Sequence, residues 1–193
     1  LFVGEQCYSN VARVFLEKVD GLYQGVVFPF VEGFGSGIIG MTLTPSGHLF
    51  AGGSDRGWGS RGGKPYCFDR ITWTGKTPFE VLEMKAQPDG FVLKFTQPVD
   101  KATAGKPESY TMSAWTWAFR AEYGGPEVDT VTPVVKSAEV ADDGLSVRLR
   151  ITGLVKGHVH LLKSTGVRSV EGLPLLHADA YYTLNNIPSA DRK

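Results

Sequence analysis

The chain has 193 residues, enough for one large domain or two small ones at the usual ~100–150 residues per domain. Its 20 basic and 20 acidic residues cancel, which gives no electrostatic reason to expect a nucleic-acid or anionic-membrane partner. No apolar run approaches the ~18–20 residues of a membrane-spanning helix, and 24 glycines and 11 prolines between short alternating runs predict an all-β chain.

Leu1-Phe2-Val3-Gly4 reads as a strand already under way, with no initiating methionine or export signal, as expected of a piece of a longer product. Val11 to Val19 is strand-length and rich in β-branched residues, and Asp20-Gly21 supplies the turn into a second strand from about Leu22. Gly37 to Thr44 leads into Pro45-Ser46-Gly47, where proline presets φ and glycine takes a positive φ. His48 to Gly52 is the returning strand. Gly33-Phe-Gly-Ser-Gly37 superficially resembles a phosphate loop but lacks the lysine and the following helix, so it reads as a strand connection.

The stretch Ser54 to Pro78 divides two differently patterned halves. Within it, Tyr66 to Trp73 reads as a strand and Thr74 to Pro78 as a hinge. Residues 1–75 then amount to one or two propeller blades' worth of strands, a unit that leaves apolar faces and sheet edges open. Such a unit needs the remainder of a propeller, from the same gene product or a separate chain.

From Phe79 the alternation is cleaner. Phe79 to Lys85 and Phe91 to Phe95 flank a Pro-Asp-Gly turn, and Leu145 to Ile151 alternates apolar and polar residues as a sheet with one wet face does. Pro98 to Ala104 reads as a polar connection, Pro107 to Tyr110 as a helical turn, and Tyr110 to Tyr123 as one long aromatic strand. Gly157 to Lys163 and Ala180 to Leu184 complete about seven strands over 76–188, the number and spacing of an immunoglobulin-like β-sandwich, with 189–193 as a tail.

Four motifs carry a family resemblance: Phe95-Thr-Gln-Pro-Val-Asp100, Asp143-Gly-Leu-Ser-Val-Arg148, Leu154-Val-Lys-Gly-His-Val-His160 and Gly172-Leu-Pro-Leu175. In that order they resemble bacterial Ig-like modules. Arg56-Gly-Trp-Gly-Ser60 through Trp73-Thr-Gly-Lys-Thr-Pro-Phe-Glu80 resembles the junction at which such a module follows a propeller similar to the glucose/sorbosone dehydrogenases. The resemblance implies an exported, extracytoplasmic parent protein. It also implies pyrroloquinoline quinone held by other blades, and haem on separate cytochrome c-type domains.

Arg56, Trp58 and Arg61 are the candidate cofactor-binding residues, since two guanidinium forks and an indole on a loop suit a planar anion. The alternative is that the arginines pair with Asp55 or Asp69 and the indole packs on the rim. His158 and His160, two apart on a strand, share a face and form a candidate metal pair that needs a third ligand such as His177 or Asp179. Trp115, Trp117 and Phe119 also share a face, as core or as a sugar-stacking platform. Cys7 and Cys67 are either a disulfide or two buried thiols.

No catalytic residue is assigned. The leading expectation is a non-catalytic C-terminal portion of a propeller-based, oxidoreductase-like exported protein with a structural or assembly role. The alternatives are that Ser54–Lys64 completes a quinone or sugar site, or that the aromatic strand binds carbohydrate or a surface.

Overall fold

The computed structural model describes residues 1–122 and 124–190. They form an all-β chain with three antiparallel sheets and one short α-helix. Two compact units divide it: Leu1–Val14 with Phe28–Thr77, and Phe15–Val27 with the chain from Pro78 onward. The division therefore does not follow one cut in the sequence near 74–78. Strands β2 (Asn10–Val19) and β3 (Leu22–Glu32) form a hairpin whose base belongs to the first unit and whose tip belongs to the second. Its turn has two successive positive φ values, 49° at Asp20 and 86° at Gly21, the conformation that matches strand twist and favours Asp-Gly.

In the first unit, β1 (Phe2–Glu5) pairs with the base of β2, from Phe2 opposite Arg13 to Glu5 opposite Asn10. Strands β4 (Ile38–Leu43), β5 (His48–Ser54) and β6 (Tyr66–Thr72) make a separate open sheet in that order. Pro45 to Gly47 turns the chain between β4 and β5, with Gly47 at φ 81°. The unit's core is Val11, Phe34, Ile38 and Ala51, with Cys67 and Ile71 packed against it. The opposite face of the sheet carries Phe50 and Phe68, stacked at 5.5 Å. On that face Tyr66 and Phe68 are each 76% exposed.

In the second unit, β7 (Val81–Gln87), β8 (Gly90–Phe95), β11 (Val134–Val140) and β12 (Ser146–Thr152) form a sheet in the order β11-β12-β8-β7. The unit's other sheet runs from the tip of β3 through β14 (Asp179–Leu184), β13 (His158–Lys163) and β9 (Thr111–Trp117) to β10 (Glu127–Val131). The two sheets bury facing residues: the Phe91 ring of β8 lies 4.9 Å from that of Tyr182 on β14 and 6.3 Å from His160 on β13. Val147, Leu149 and Ile151 of β12 point inward, as their alternation predicts. On the other face Arg148 and Arg150 both bind Asp89.

Three local readings change. Pro98–Ala104 contains a helix, α1 (Lys101–Ala104), because the Asp100 carboxylate accepts the Ala102 and Thr103 amides at 3.2 and 3.1 Å and caps it. The aromatic strand stops at Trp117, and the Ala118 amide donates to Pro126 O at 3.1 Å. Tyr123 lies outside the described residues. Strands β10 and β11 had no expectation, because neither Glu-Val-Asp-Thr-Val nor Val-Val-Lys-Ser-Ala-Glu-Val alternates strongly.

Candidate functional site

The site is built on the loop from Asp55 to Pro65, between β5 and β6. Ser54 Oγ accepts the Arg56 amide at 3.0 Å and Asp55 O accepts the Trp58 amide at 3.1 Å, which turns the loop back. Its return is pinned to the first unit's own backbone: Arg61 N–H donates to Cys7 O at 2.7 Å, Gly62 N–H to Ser9 Oγ at 3.0 Å and Lys64 N–H to Gly35 O at 2.9 Å. Gly62 is required for this approach, since a Cβ there would stand 2.4 Å from Phe34 O.

Between this pinned segment and β6 lies an open cavity of about 720 Å³, the size of a small-molecule pocket. Arg61 and Lys64 stand on its loop side, and Tyr66, Phe68 and Asp69 on its strand side, with Tyr8 at its rim. Asp69 Oδ2 is sealed from solvent and has no hydrogen-bond partner among the described residues. Burial, together with the neighbouring Asp69 carboxylate, pushes the Cys67 thiol up, so it is a poor nucleophile. The arrangement offers cationic donors and aromatic faces. It sets a carboxylate beside a thiol whose burial disfavours the thiolate.

Of the three predicted cofactor-binding residues, the structure brings Arg61 to this cavity. Arg56 and Trp58 do not line it, and Trp58 is half exposed elsewhere on the loop. Cys7 and Cys67 stand as free, partly exposed thiols. Sequence reasoning missed Tyr8 and named Asp69 only as a possible partner of the loop arginines. Tyr8 arrives through a turn that the sequence did not define.

His158 and His160 do share a buried strand face, but their ring nitrogens face the backbone. His160 Nε2 accepts the Val155 amide at 3.3 Å and Nδ1 donates to His158 O at 3.2 Å. Burial holds this imidazole down to about 4, so it is neutral. His158 Nδ1 and Nε2 lie 3.2 Å from Lys156 O and Asp129 O. The proposed third ligands are engaged elsewhere, His177 with Glu80 at 2.6 Å and Asp179 with Lys163 at 3.7 Å. No group of three His, Cys, Asp or Glu that could hold a metal exists among the described residues.

The aromatic row also divides. Trp115 is 9% exposed and belongs to the core, Trp117 is half exposed, and Phe119, beyond the strand end, is fully exposed. A continuous three-ring platform is therefore absent. No helix among the described residues is long and apolar enough to cross a membrane.

No family model matches the chain. No curated protein matches it. Among solved structures, domains 1–6 of the surface layer protein SbsC are 22% identical over 58% of this chain at a TM-score of 0.42. The N-terminal part of the bacterial S-layer protein SbsC is 21% identical over the same share at 0.43. This chain spans 14% and 25% of those two chains.

Proposed function

We propose that the chain is a non-catalytic portion of an exported, propeller-based, oxidoreductase-like protein with a structural and assembly role. In this reading the first unit supplies terminal propeller strands, and the second is an Ig-like β-sandwich. The observation that carries it is the open outer face of the β4-β5-β6 sheet, with Tyr66 and Phe68 each 76% exposed beside the stacked Phe50. Contiguous exposed aromatic surface on a sheet marks an interface. The junction and Ig-like motifs between Arg56 and Leu175 support the family reading.

The test is to isolate the protein from its source and compare it with this chain. A larger polypeptide, or a complex with a second polypeptide, is expected, with Phe50 and Phe68 shielded from hydroxyl-radical labelling. If the source protein is this chain alone, or if both rings label equally in the larger species, the reading fails.

A second reading has one observation in its favour: Arg61 and Lys64 line the 720 Å³ cavity. Here the loop would complete a quinone or sugar site formed mostly by other blades. Replacing both residues by alanine in the source assembly without loss of cofactor or turnover eliminates it.

A further inference from the structure

Strand β6 is the end strand of its sheet, paired only with β5. The direction of its unpaired main chain follows from the flanking bonds. Asp55 N–H donates to Pro65 O, so this pair is of the hydrogen-bonded kind, and every second pair along the ladder follows suit: Gly53 with Cys67, Ala51 with Asp69, Leu49 with Ile71. Ser54 N–H donates instead to Gly37 O and Thr44 N–H to His48 O, which confirms that the even-numbered residues of β5 face β4. The amides and carbonyls of Tyr66, Phe68, Arg70 and Thr72 therefore point out of the sheet. None of them meets another main-chain group among the described residues. The Tyr66–Asp69 part of this edge borders the open cavity.

We infer that this edge pairs with a second copy of the same chain, β6 against β6 and antiparallel, about a two-fold axis through Phe68. The register follows from the side chains. Centring on Asp69 would set two carboxylates directly opposite, and centring on Arg70 two guanidinium groups, both destabilising like-charge pairs. Centring on Phe68 sets Phe68 opposite the second copy's Phe68, Tyr66 opposite its Arg70, and Cys67 opposite its Asp69. The Phe68 pair is an aromatic cross-strand contact, and each Tyr66 and Arg70 pair is a cation–π contact, formed twice by symmetry. All of these rings lie on one face, because side chains alternate along the strand. The product is one six-stranded sheet with no free β6 edge, which removes the template for uncontrolled strand addition. The pairing uses the main-chain edge of the sheet, and its register draws in Tyr66 and Phe68 of the face on which the proposed function rests.

The test is the oligomeric state of the 193-residue chain by light scattering and sedimentation. A dimer is expected. Phe68→Lys, which sets like charges on the axis, should weaken it by about tenfold or more. Arg70→Pro removes an outward amide without touching the β5 ladder and should give a monomer. Hydrogen exchange at β5 identifies whether that variant has kept its sheet. A positive readout guards against misfolded variants: Phe68→Cys with Cys7→Ser and Cys67→Ser should cross-link in glutathione disulfide. Hydrogen-bonded antiparallel partners have Cα atoms about 5.5 Å apart, within disulfide reach. A monomeric parent chain overturns the inference, as does a dimer that persists in a folded Arg70→Pro variant or that fails to cross-link in the Phe68→Cys variant.

Discussion

Tyr182 donates its hydroxyl proton to the carboxylate of Glu17, a residue 165 positions earlier that also accepts the Ala86 amide at 2.7 Å. Gln24 donates to the same hydroxyl oxygen at 2.8 Å and exchanges bonds with the Asn186 backbone. Burial, reinforced by the Glu17 carboxylate, pushes the Tyr182 hydroxyl up, so it serves as a donor throughout the ordinary pH range.

Removing Glu17 strands two donors. Glu17→Ala should destabilise the second unit by about 1–3 kcal/mol, measured by urea unfolding. Glu17→Gln keeps an acceptor and should lose less. Equal stability of the alanine variant and the parent would show that the hairpin tip is not held by this network.

His160 makes stability fall in mild acid. Its folded value, about 4, lies below the ordinary 6.5, so the unfolded chain takes up the proton first. The contribution is intact above about pH 6.5, is lost as pH falls toward 4, and changes no further below that. It amounts to about 3 kcal/mol at most. Unfolding free energies measured across this window should show the slope, and a His160 imidazole that titrates by NMR near 6.5 in the folded protein would remove it.

Gly90 opens β8 against β12. A Cβ at this position would stand 1.9 Å from Leu149 O, a backbone atom that cannot move aside without breaking the Arg150 pairing. Gly90→Ala should cost about 2 kcal/mol or more, visible as a lower denaturation midpoint. Gly124→Ala meets no neighbour and reports only the backbone cost of its φ of 73°.

The free thiols have a direct chemical check. Alkylation of the unfolded chain without reductant should add one adduct at each of Cys7 and Cys67. An unmodified pair would restore the disulfide.

The strands were legible where side-chain alternation coincided with turn chemistry. Asp20-Gly21, Pro45 to Gly47 and the β12 alternation each gave a strand end or a face directly. Strands β10 and β11 were not, because half-exposed edge positions such as Val134 and Glu139 carry little pattern. Helix α1 was missed because its capping residue, Asp100, was absorbed into a turn motif. At the candidate site the loop was legible from its glycine and arginine content, and Arg61 from its place in it. The rest depended on which residues distant in sequence the loop would meet, and Tyr8 and Asp69 carry no local signal of that. The histidine pair shows the converse: spacing gave the shared face correctly but could not show that backbone groups already occupy the ring nitrogens.

The hairpin that belongs to both units makes the two halves of the gene segment inseparable by simple scission. A cut at Thr77 would leave the later fragment without Phe15–Val27, and hence without Glu17, Gln24 and the strand that pairs with Tyr181 to Thr183. During synthesis that hairpin tip must wait, unmatched, until the ribosome has delivered β14. An expression boundary drawn from the sequence alone would discard a segment that the second unit needs to complete its sheet.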